Sequence, residues 1–153
     1  MVTTADRVTQ HTGDTVLHSI HAGMRHRIEY FAHHPDQIPQ RLLELDAEWD
    51  IERCLETGSA SLTLAGLLLG ISASRKWLLL SLGVQGFFLQ HALQGWCPPL
   101  PVLRRLGVRT AEEIGQERYA LKALLGHFEG VSTSDPSAAS RASRAVSLDG
   151  MAK

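Results

Sequence analysis

Two neighbouring stretches of this chain carry no charge, and that limits what it can fold into more than any other feature. No Asp, Glu, Lys or Arg lies between Thr57 and Ser74, 18 residues, or between Trp77 and Leu103, 27 residues. Only Arg75 and Lys76 separate them. At the helical rise of about 1.5 Å per residue, roughly 20 apolar residues span the ~30 Å hydrocarbon core of a bilayer. The first stretch just reaches that length and the second exceeds it. A turn at Arg75 and Lys76 folds them into a hairpin of two transmembrane helices, at about residues 57–74 and 77–97. The competing reading is a soluble all-α protein with this hairpin buried. Ser59, Ser61, Thr63, Ser72, Ser74, Ser81, Gln85, Gln90, His91 and Gln94 lend it weight. A helix of a soluble bundle, however, shows a charged face at 3.6-residue spacing. Neither stretch has one, and the rest of a 153-residue chain is too short and polar to wrap both.

The whole-chain balance narrows the function classes. Lys plus Arg number 15 and Asp plus Glu 16, a net charge of −1, which argues against a nucleic-acid partner. Two cysteines exclude a disulfide framework and a four-cysteine zinc site. No Ser/His/Asp set, phosphate loop or dinucleotide fingerprint is present. Glu48, Asp50 and Glu52 are close in sequence but point to different faces of a helix. The sequence therefore predicts no catalytic residue and no cofactor, and an enzyme is the least expected class. His18 and His21 have a ligand-like spacing. No cysteine or carboxylate completes it, so a solvated helix is expected there and no metal site.

Within the hairpin, Trp77 and Trp96 bracket the second helix, as indoles do at the two bilayer interfaces. Pro98, Pro99 and Pro101 are expected to end it, because proline cannot donate a backbone hydrogen bond. The first helix has a small-residue seam of Ser59, Thr63, Gly66, Gly70 and Ala73. The second has Gly83, Gly86, Gln90, Gln94 and Cys97. In lipid, small residues let helix backbones approach and polar side chains bond across. Gln90 is expected at the level of Ser61 and Thr63, and Gln94 near Thr57. His91 flanks that face without a carboxylate partner, a poor proton relay. Gly66-x-x-x-Gly70 either packs inside the hairpin or pairs two chains. Arg41 and Arg53 on one flank, with Arg104, Arg105 and Arg109 on the other, outnumber Arg75 and Lys76 in the loop. That count puts both termini in the cytoplasm.

The flanks read as follows. Residues 1–40 form an N-terminal cytoplasmic segment with no signal-peptide core and no apolar period before residue 15. Val16, Ile20, Met24, Ile28 and Phe31 mark a patchy helix over 15–34, which Pro35 and Pro39 break. The same basic, apolar segment could rest on a membrane surface. An amphipathic helix from Arg41 to Glu56 is expected to run straight into the first membrane helix. Thr110 and Glu113 form a capping box that starts a helix over 111–125, with Gly126 as its stop. The block 111–129 is thus a cytoplasmic helix, and the Ser/Ala-rich residues 130–153 read as a disordered tail.

Cys97 and Cys54 are the candidate reactive thiols. They lie equidistant from the loop centre, so a symmetric hairpin puts them at one depth. On a continuous helix Cys54 points away from the seam, unless Gly58 breaks the helix. Arg104 and Arg105 favour a thiolate at Cys97, and the negative helix C-terminus opposes it.

Trp96-Cys97-Pro98, followed by Leu106-Gly107-Val108-Arg109-Thr110, resembles the Cys-Pro…Leu-Gly-Ile/Val-x-Thr ending of the YgaP-like inner-membrane domain. Asp50-Ile51-Glu52-Arg53 loosely matches that family's Asp-Arg entry. The match covers roughly residues 46–110, with a longer gap between its two elements than the family has. The resemblance implies a bacterial two-helix hairpin, multi-pass in the inner membrane, and no reaction, since no rhodanese domain accompanies it. The expected role is a membrane anchor or partner-binding module. Its partners are the lipid bilayer and a protein partner or a second copy. The alternative is a thiol-dependent accessory in sulfur or redox traffic centred on Cys97.

Overall fold

The computed structural model describes residues 4–128, and the expected tail lies outside them. The described residues are helical throughout, with no strand: the protein is all-α. The helices are α1 (Thr4–Gln10), α2 (Asp14–His33), α3 (Ile38–Ala47), α4 (Ile51–Ser72), α5 (Leu78–Gln94), α6 (Leu100–Arg105) and α7 (Ala111–Leu124). They form two compact units. One holds the chain up to Gly23 with Glu48–Ile114; the other holds Met24–Ala47 with the chain from Gly115.

In the first unit α4 and α5 pack antiparallel, joined by a 3₁₀ turn at Arg75–Trp77. Ser74 caps that turn by accepting from the Lys76 N–H at 3.4 Å. Gly66 and Gly70 lie on the contact. A Cβ at Gly66 would sit 2.5 Å from Ser81 Oγ, and one at Gly70 2.5 Å from Leu78 Cδ2. The glycine pair is therefore occupied within the chain. Ser81 Oγ donates to the Thr63 carbonyl at 3.0 Å, and Gln85 Nε2 donates to Thr63 Oγ1 at 2.7 Å.

The second seam does not meet the first. Nothing lies within 4 Å of a Cβ built at Gly83 or Gly86. Among the described residues no hydrogen bond joins Gln90 or Gln94 to α4; Gln85 is the glutamine that crosses. The register explains this. Thr63 faces Ser81 and Gln85 where symmetry about the loop placed Gln90, a shift of over one helical turn. At 100° per residue, positions 83, 86, 90 and 94 then share the face of α5 opposite Ser81.

Three boundaries differ from expectation. The helix drawn from Arg41 to Glu56 is two helices, because Asp50 caps a new start: its Oδ1 accepts from the Arg53 N–H at 2.7 Å. α5 ends at Gly95, three residues before the first proline. Gly95 takes the left-handed conformation, φ 74°, and its N–H donates to the His91 carbonyl at 2.7 Å. Trp96 thus lies beyond the helix. The prolines start α6 instead, where Pro99 precedes and Pro101 enters the first turn. α1 has no periodic signal, yet its Val8 is fully buried in a core with Ile51, Leu55, Cys97 and Leu100.

The ends of the first unit are tied by buried charge. Arg104, 2% exposed, donates to both carboxylate oxygens of Glu113 at 2.7 and 2.8 Å, to Thr12 Oγ1 and to the Val108 carbonyl. Arg109 donates to Glu48 Oε1 at 2.7 Å, and its carbonyl accepts from the Ile51 N–H at 2.9 Å. Two arginines of the basic flank are therefore buried in ion pairs. The capping box forms: the Thr110 N–H donates to Glu113 Oε2 and the Glu113 N–H to Thr110 Oγ1. In the second unit the carboxylate of Glu117, fully buried, accepts from Arg27 and Arg41 at 2.9 to 3.1 Å.

By length and composition, one described helical stretch, Pro35–Ser72, holds an 18-residue window apolar enough to cross a membrane, and 17% of that window is buried. α5, at 17 residues, falls one short of the same length.

Candidate functional site

Cys54 and Cys97 line one cavity in the first unit, about 400 Å³ in volume. Cys54 stands on the first turn of α4, just after the Asp50 cap. Cys97 reaches it because Gly95 turns the chain off the axis of α5 and back toward α4. That turn is crowded: a Cβ at Gly95 would lie 2.4 Å from Arg7 Cβ. Arg7 Nη1 donates to the Leu93 carbonyl at 2.9 Å, which ties α1 to the end of α5. α4 runs unbroken through Gly58, so Cys54 borders the same cavity as Cys97 without a helix break there.

The rest of the lining is apolar. α4 contributes Leu55, Gly58 and Leu62, α5 contributes Val84, Phe87 and Phe88, and the following segment contributes Pro98, Pro99 and Leu103. Ser59 also borders the cavity, but its hydroxyl donates to the Glu56 carbonyl at 3.1 Å. Both thiols are free; Cys97 is buried and Cys54 partly so.

Beside the cavity stands a pair that contradicts the reading of His91 as partnerless. His91, 1% exposed, places Nε2 3.2 Å from Glu52 Oε2. Its Nδ1 is buried with no hydrogen-bond partner among the described residues. No sequence rule links positions 39 apart on two helices, so only the helix register could have found it. The three neighbouring acids take separate tasks: Glu48 pairs with Arg109, Asp50 caps α4 and Glu52 meets His91.

The other singled-out residues are placed more simply. Thr63, Gly66 and Gly70 lie on the α4–α5 contact. Ala73 borders a shallow pocket at the turn with Gly70 and Leu78. Gly83, Gly86 and Gln94 are exposed, and Gln90 is half-buried. His21 Nε2 lies 3.9 Å from Glu113 Oε1. Among the described residues no three of His, Cys, Asp and Glu gather as a metal set. No family model, curated protein or solved structure matches the chain.

Proposed function

We propose that the protein is a small integral membrane protein, whose α4–α5 pair spans the bilayer as a hairpin. Both termini are cytoplasmic, and the flanking helices form a partner-binding module held at the membrane. One observation carries this reading: beyond Glu56 the outward faces of both helices carry no charge and are dominated by large apolar side chains. Ile71, Leu79, Leu82 and Leu93 are 66 to 85% exposed, and Leu64, Leu68 and Leu89 are about 60% exposed. A soluble monomer rarely leaves so continuous an apolar band in water. Ser81 and Gln85 bond across to Thr63, an interhelical polar contact of the kind expected when lipid is the solvent. Orientation rests on counting Lys and Arg near the helix ends, whatever carboxylates they pair with.

The two segments that carry the resemblance to the YgaP-like domain, Asp50–Arg53 and Leu106–Thr110, meet in this chain where the Ile51 N–H donates to the Arg109 carbonyl. A second reading, a thiol-dependent accessory, is favoured by the shared cavity of Cys54 and Cys97.

Alkaline carbonate extraction of membranes from expressing cells tests the first reading. Retention in the pellet is expected, and release into the supernatant overturns it. A single cysteine placed at Ala73, in a variant with serine at positions 54 and 97, should react with an impermeant maleimide from the non-cytoplasmic face. Labelling only after the cells are opened reverses the orientation.

A further inference from the structure

We propose that the cavity between Cys54 and Cys97 is a quinone site, where a lipid-soluble quinone oxidises the two thiols as a pair. The proposal rests on the membrane reading, because lipid is where such a quinone dissolves.

Four observations point to that ligand class. The only two cysteines of the chain line a single cavity. Its volume of about 400 Å³ falls in the range of small-molecule sites, roughly 300–1,000 Å³. Apart from the thiols the one polar side chain of its lining is Ser59, whose hydroxyl proton is committed to the Glu56 carbonyl. A charged or sugar-like molecule would lose its hydration there without recompense. Leu62 and Phe87, both lining residues, are about half exposed on the uncharged outer surface of α4 and α5, so the cavity opens toward lipid. Phe87 and Phe88 supply flat apolar faces for a ring.

The thiols decide between a quinone and a plain acyl chain. An acyl chain gives two sulfurs in one apolar cavity nothing to do. A quinone takes two electrons and two protons, which is what two thiols give when they join as a disulfide. In the step, both S–H bonds break and a Cys54–Cys97 S–S bond forms. The dithiol is oxidised to the disulfide and the quinone is reduced to the quinol, with the electron pair and both protons ending on its two oxygens. The balance is one dithiol and one quinone to one disulfide and one quinol.

The test uses the full chain, reduced, freed of reductant and kept anaerobic in detergent. The probe is a short-chain benzoquinone with every ring position substituted, which leaves no open position for a simple thioether. The expected result is stoichiometric quinol by ultraviolet absorbance, loss of both maleimide-reactive thiols, and a Cys54–Cys97 disulfide within one chain by peptide mapping. Cys54→Ser and Cys97→Ser should each abolish quinol formation, and Val84→Trp, which fills the cavity, should slow it while helicity by circular dichroism is kept. An unreduced quinone with both thiols intact overturns the proposal. So does a disulfide between chains, or a rate indifferent to Val84→Trp. Retention of the protein in carbonate-washed membranes with no quinol formed defeats this proposal alone. Release by carbonate defeats the membrane reading and this proposal with it, whatever the quinol yield.

Discussion

The α4–α5 pair and the charged base of the same unit bury polar groups in opposite company. Between α4 and α5 the contact is made by Gly66, Gly70, Ser81 and Thr63, while leucine and isoleucine face outward. At the base, Arg104 and Glu113 are sealed inside, Val8, Ile51, Leu55 and Leu100 pack inward, and polar residues such as Glu112 face out. The base follows the water rule, with apolar groups in and charges out unless paired. The pair inverts it. One short chain thus carries two arrangements, which on the proposed membrane reading match two solvents, and they meet near the Asp50 cap and the Gly95 turn.

The largest expected effect is at the base. Arg104→Met leaves the Glu113 carboxylate buried without its cation. It should cost about 3–5 kcal/mol, as breaking a buried ion pair does. Denaturant titration followed by circular dichroism measures it. The pH dependence has a worked sign. Burial alone would raise the Glu113 carboxyl, but hydrogen bonds from Arg104 and Thr110 and the Arg104 charge outweigh it, so its value lies below the ordinary 4.5. A group depressed in the folded state contributes stability above its unfolded value. That contribution should fade as pH drops from about 5 through the folded value, and Glu113→Gln should remove this dependence.

Gly66→Leu comes next. The new side chain meets Ser81 and the Trp77 carbonyl, an overpacking of about 1–3 kcal/mol. Gln85→Leu removes the bond to Thr63 and should cost about 0.6 kcal/mol, the mean for such bonds in a membrane helix bundle. Gly86→Leu, into open space, should change stability least. A loss at Gly86 equal to that at Gly66 would break the comparison, because the outer face of α5 would then be packed against something too.

Local chemistry was legible in the sequence and distant chemistry was not. Thr110 and Glu113 are three residues apart, so their reciprocal capping followed from spacing. α2 and α7 were legible as helices for similar reasons, through apolar period, capping box and glycine stop. The seam of α4 was readable as small residues at helical spacing. The seam of α5 had the same appearance but faces away, because small residues do not say which side of a helix meets its neighbour. That depends on the turn, where a 3₁₀ segment shifts the register. Arg104 was counted only with the basic flank, because its partners Thr12, in the turn between α1 and α2, and Glu113, on α7, are not linked to it by helical spacing. Gly95 was overshadowed by three prolines, although a left-handed glycine stops a helix just as surely.

The crowding at Gly95 ties α1 to the segment that carries Cys97. Arg7 sits on the turn that swings Cys97 toward Cys54, so α1 works as a latch. Clipping the chain between Gln10 and Asp14 should loosen that latch and raise the rate at which Cys97 is alkylated.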